Sequence, residues 1–134
     1  MKAICLIVMT IASAISCKNN AIDSSTLQQG IWGGDHIRME VATDRVSFEW
    51  DCAWGEITNP ITVSNNQFSA DGTYTRGLGG AIPVGVQPKV EPATYTGVLK
   101  GNTLEIQVVV KSTTQNVGTF QLEYGKESRL VKCL

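Results

Sequence analysis

Apolar and polar residues alternate along much of this chain, with a period of two. Between His36 and Ala42, the residues Ile37, Met39 and Val41 share one face, and His36, Arg38 and Glu40 share the other. From Arg45 to Cys52 the apolar set is Val46, Phe48, Trp50 and Cys52, opposite Ser47, Glu49 and Asp51. Successive strand side chains point to opposite faces, so this period predicts half-buried strands. Thr43-Asp44 between them is short enough for a tight hairpin. A third strand is expected over 54–58, ended by Asn59-Pro60, and a fourth over 67–75, after Asn65-Asn66. Strands over 93–100 and 103–111 follow, joined by Gly101-Asn102, two residues that tolerate the positive φ of a primed turn. Leu104, Ile106, Val108 and Val110 form the inner face of the second of these. Phe120, Leu122 and Tyr124 do the same for a strand over 117–124, and Gly125-Lys126 turns into a last strand over 128–133. No helical period is found after residue 30.

About eight antiparallel strands joined mostly by short turns make an all-β fold. An open meander would leave two unpaired edges, and closure removes them. The expected architecture is a small eight-stranded antiparallel up-and-down barrel, either packed solid or holding one small ligand. A two-sheet β-sandwich is the alternative. The opening Gly30-Ile31-Trp32, the meander and the size resemble lipocalin-like or streptavidin-like barrels. The segments 32–38, Asp51-Cys52-Ala53-Trp54-Gly55 and Leu130-Val131-Lys132-Cys133-Leu134 also resemble a group of small bacterial proteins without an assigned activity. Those resemblances imply a fold and imply no reaction.

The N-terminus follows another rule. Lys2 precedes a run from Ala3 to Ile15 that no charge interrupts. The run is shorter than the ~20 residues a spanning helix needs, but it suits a secretory signal. Ala14-Ile15-Ser16-Cys17 resembles the lipobox of bacterial lipoproteins, with Ala14 where that family usually carries Leu. The resemblance implies removal of residues 1–16 and acylation of Cys17, with palmitate-type chains anchoring the protein. Ala14-x-Ser16 also satisfies an ordinary signal peptidase cutting at the same bond. Lys18 follows the cysteine in place of the aspartate that resembles an inner-membrane retention signal, so the resemblance implies an outer-membrane destination in a Gram-negative host. Residues 17–29 are polar and read as a lipidated flexible tether, and 30–134 as the barrel domain.

Of the cysteines Cys5, Cys17, Cys52 and Cys133, the first leaves with the signal. Acylation of Cys17 leaves Cys52 and Cys133 free to pair in an oxidising compartment. In a closed meander both would end even strands, at one rim, with inward parity, and their bond would staple the seam.

Residues 76–92 break the pattern. They hold Gly77, Gly79, Gly80, Gly85, Pro83, Pro88 and Pro92. Long loops in compact domains are often functional. Following the fourth strand, this loop belongs to the cysteine-bearing rim. Arg76, Leu78, Ile82, Val84, Val86 and Lys89 are its candidate lid residues, and Trp32 and Trp54 are expected near the same rim.

Composition narrows the chemistry. The net charge is −1 and no Lys/Arg cluster occurs, so nothing suggests nucleic acid. His36 is the single histidine, which leaves neither a triad with a nucleophile motif nor a zinc ligand set. Asp71-Gly72-Thr73 lacks the neighbouring acids of a calcium loop. Glu49 and Asp51 read as decoration of a strand's solvent face rather than a glycosidase pair. No catalytic residue, metal or cofactor is expected. The first functional expectation is a non-catalytic envelope module for a small apolar ligand. The alternative is an inhibitor or interaction protein acting on an envelope-directed lysozyme or protease through loop 76–92.

Overall fold

The computed structural model describes residues 24–133. The expected signal sequence, Cys17 and the first part of the expected tether lie outside the described residues. Ten strands form: β1 (Ser24–Thr26), β2 (Gly30–Gly34), β3 (Ile37–Val41), β4 (Val46–Trp50), β5 (Ala53–Ile57), β6 (Thr62–Ser64), β7 (Gln67–Arg76), β8 (Val90–Lys100), β9 (Thr103–Val110) and β10 (Gln115–Tyr124). Eight of them close into an antiparallel barrel in the order β7-β5-β4-β3-β2-β10-β9-β8, with β8 returning to β7. The expected up-and-down barrel is therefore the fold.

The alternating segments are strands as expected. Ile37, Met39 and Val41 on β3, and Val46, Phe48 and Trp50 on β4, are all buried. So are Leu104, Ile106, Val108 and Val110 on β9. The Gly101-Asn102 turn joins Lys100 to Thr103, with Gly101 at φ 61°. Asn65 and Asn66, both at positive φ, join β6 to β7 at Ser64 and Gln67.

The seam differs from expectation. The strand expected over 128–133 does not form. The ring closes instead between β2 and β10, through Glu123↔Gly33 and Tyr124↔Trp32. Gly30-Ile31-Trp32-Gly33-Gly34 shows no alternation and three glycines, so it does not read as a strand. The barrel needs that composition. After Gly125 the chain doubles back over β2, and a Cβ at Gly33 would collide with the carbonyl of Lys126. The tail 125–133 is thus a strap on the outer wall. It is held by the bond from Gly125 N to Ile31 O (2.7 Å), by Arg129 N to Gly34 O (3.1 Å) and by His36 N to Arg129 O (2.8 Å).

Residues 24–29, expected in the tether, are part of the fold. β1 pairs with β6 outside the ring, and Leu27 is buried, its N–H bonded to Ile61 O at 2.9 Å. Leu27, Ile61 and Val63 plug the end of the barrel where β7 begins. The middle of the lumen is filled by aromatic rings. Phe48 stacks on Tyr95 with centroids 4.5 Å apart, and Trp50 stacks on Phe48 at 5.7 Å. The Tyr95 hydroxyl donates to Thr73 O at 2.6 Å and occupies the space that Gly55 leaves free. Burial pushes the Tyr95 phenol well above its ordinary range, so it stays neutral.

Candidate functional site

The end opposite the plug is a mouth. Strand direction brings four connections to it: Asp35-His36 after β2, Asp51-Cys52 after β4, the loop 77–89 after β7 and the turn 111–114 after β9. Inward-facing side chains near this end have no strand above them, so they line an open depression of about 230 Å³. Trp50, Ala53, Tyr74, Val117 and Phe120 form its apolar walls, and His36, Asp51, Cys52 and Arg76 its polar rim. A bulge between Asn116 and Gly118 adds one residue to β10 and brings Val117 to the depression. Trp50 meets Tyr74 edge to face at 5.4 Å and Phe120 at 5.8 Å. The indole N–H of Trp50 is buried and has no hydrogen-bond partner among the described residues.

The rim is tied together by polar contacts. His36 sits in a two-residue turn at φ 64°, a left-handed conformation that costs a non-glycine residue energy. Its Nδ1 lies 2.6 Å from Asp51 Oδ2. Asp51 Oδ1 accepts the backbone N–H of Val131 at 2.7 Å. That bond, with His36 beside it, holds the Asp51 carboxyl below its ordinary value. The sulphurs of Cys52 and Cys133 lie at bonding distance, with Cα atoms 5.4 Å apart. Neither cysteine is inside the barrel. Cys52 belongs to the β4–β5 turn and Cys133 to the exposed strap, so the link joins turn to strap rather than strand to strand. The expected inward parity fails because alternation ends with β4 at Trp50.

The expected rim residues separate into four places. Arg76 follows the inward parity of Tyr74 and stands at the mouth, opposite Ala53 in register. Trp54 and Leu78 lie on the outer wall, bordering a groove of about 450 Å³ with Arg38, Glu49 and Lys132. Ile82 and Val84 are exposed on the loop, and Lys89 is paired with Glu91 at 3.1 Å. Trp32 does not belong to this end. It is 1% exposed, packs edge to face on Tyr124 and donates its indole N–H to Gln28 O at 3.1 Å. A tryptophan within a glycine-rich strand has no alternation around it to place it by.

Trp50 and Phe120 were legible as inward residues but not as walls of a mouth, because alternation fixes a face and not a depth, and the strand that carries Tyr74 was expected without an assigned face. His36 and Asp51 read as surface residues, and only the crossing strap shows that they tie the rim. The mouth lining offers no serine or threonine and no free thiol, so the His36–Asp51 pair faces no nucleophile there. Among the described residues no group of three or more His, Cys, Asp or Glu is gathered to hold a metal ion, and no helix is long and apolar enough to cross a membrane.

Comparison with protein-family models gave no match, and neither curated proteins nor solved structures gave one.

Proposed function

We propose that the protein is a lipid-anchored, non-catalytic interaction module of the bacterial envelope that docks a protein partner through loop 77–89. One observation carries this reading. Among the described residues, the large hydrophobic side chains that stand exposed all lie toward the mouth end: Leu78, Ile82, Val84, Val86 and Val90 in or beside the loop, with Trp54 and Val131 near its base. Apolar side chains gathered on one exposed segment mark an interaction surface more often than decoration. The aromatic filling of the lumen favours this reading over a ligand carried deep inside the barrel.

The direction of the chain supports a partner away from the anchoring membrane. Ser24 pairs with Ser64 beside the Asn65-Asn66 turn, at the plugged end, and the loop stands at the other end. With Cys17 acylated, residues 17–23 reach at most roughly 25 Å. The plugged end then faces the bilayer and the loop faces outward. An envelope-directed lysozyme or protease is the class of partner to try first, by analogy of fold.

Two measurements test the reading. Intact mass of the exported protein should show acyl chains, and Cys17→Ser should remove them; a mature chain without acyl groups removes the anchor. Purified protein should slow a lysozyme or a serine protease from a panel of such enzymes, and Ile82→Asp with Val84→Asp should abolish the effect while leaving the fold intact. An unslowed panel, together with equal cross-linking of envelope proteins by the wild type and the double variant, would defeat the docking claim.

A further inference from the structure

We propose that the mouth of the barrel binds a small carboxylate with an apolar body, such as an aromatic or short-chain acid. This site is distinct from the loop and does not depend on the loop docking a protein.

Its size admits a ring. An apolar cavity of about 150 Å³ suffices for benzene, and the mouth offers about 230 Å³ between Ala53, Tyr74, Val117 and Phe120. The space left over suits a small polar group. Two features of the lining specify which one.

The first is Trp50. It is 94% buried, since 6% of its surface is exposed, yet its indole N–H has no acceptor among the described residues. Buried donors are nearly always paired, because an unmade bond leaves the desolvation of the group uncompensated. Trp32 shows the ordinary arrangement, with its N–H on Gln28 O. The Trp50 nitrogen is closed off from solvent by its neighbours, so a ligand seated in the mouth reaches it as those rings shift, and the ligand's acceptor would relieve the orphaned donor.

The second is Arg76. It lines the same depression, and among the described residues no carboxylate lies within salt-bridge distance of it, whereas Arg38, Arg45 and Arg129 each have one. A guanidinium presents a planar fork that matches a carboxylate. The one carboxylate in the lining, Asp51, is already engaged by Val131 N–H and His36. An acceptor that is anionic satisfies both Arg76 and the Trp50 donor. A neutral ligand leaves Arg76 unmatched, and a cationic one is repelled by it.

The test uses the full chain, labelled with 15N, and benzoate as the probe, with benzyl alcohol and benzylamine as comparators. The Trp50 indole resonance, assigned by its loss in Trp50→Phe, should move saturably with benzoate, while the Trp32 indole stays in place as a reporter of the intact barrel. Arg76→Gln lies at an exposed position and should weaken benzoate binding about tenfold or more, the scale of a lost charge-assisted hydrogen bond. Benzyl alcohol should bind at least about tenfold more weakly than benzoate for the same reason. A Trp50 resonance that does not saturate overturns the proposal, and so does an Arg76→Gln variant or a benzyl alcohol titration that matches wild-type benzoate.

Discussion

At the scale of single residues, several side chains are explained by what a neighbour needs. Gly33 is an ordinary strand residue in backbone terms, but the strap lies directly on it. Gly33→Ala should therefore destabilise the protein by about 1–3 kcal/mol, as overpacking does, visible as a lower midpoint in urea. Tyr95 shows the complementary relation, a long side chain that reaches across to Thr73 O over Gly55. Tyr95→Phe removes that donor and leaves a buried carbonyl short of a partner, at a cost of about 1–2 kcal/mol on the same denaturation curve. The Gly101-Asn102 turn made β8 legible as a strand, yet nothing local could show that Gly55, on β5, was small to make room for a phenol on β8. Pairings between distant strands decide such matters, and a local pattern carries no record of them.

At the scale of elements, the strap is the feature least visible in the sequence. Ser128 to Cys133 contains enough apolar residues to read as a strand, but the strand that completes the ring is the glycine-rich β2. The strap lies on β2 because Gly33 leaves a channel, and it ends at the β4–β5 turn through Cys133 and Val131 N–H on Asp51, and on β4 itself through Lys132 on Glu49. The ring's own closure is short, two residue pairs between β2 and β10. Replacing Cys52 and Cys133 by Ser should cost up to about 4 kcal/mol in the chain-entropy picture of a loop this long, against a sequence separation of 81 residues. Thermal unfolding would register it, and a midpoint unchanged by the double replacement would contradict the assignment of the bond. Acid acts on the same element. Asp51 has a depressed folded-state pKa, so its contribution is present above the unfolded carboxylate value and is lost as pH falls through the folded one. Below about pH 4, amide exchange at Val131 should accelerate, and in Asp51→Asn that acid-side change should disappear.

At the scale of the molecule, the barrel is polar end to end. One end is plugged by Leu27, Ile61 and Val63, and the other carries the mouth and the exposed loop. The fold class, seven of the eight strands of the ring and the place of the loop were legible because period-two alternation and turn residues dominate the sequence, while the strand that completes the ring, β2, was not. The plug was not: β1 and β6 are three residues each, too short for a period to register. Nor was the division of labour among the expected rim residues, since Arg76 and Leu78, two positions apart, end on the mouth and on the outer wall. The loop should be thermodynamically separable from the ring. Replacing 78–88 by a short glycine-rich turn should change stability by less than about 1 kcal/mol, because closure entropy varies slowly with loop length. Calorimetry would check this, and docking should vanish in the same variant.

The bond between strap and turn also sets an order of events during biogenesis. Cys52 leaves the ribosome ahead of β5 to β10, and its partner follows all of them. The first thiol must wait, reduced, while every remaining stave of the cask is synthesised, and oxidation can act only as the final latch.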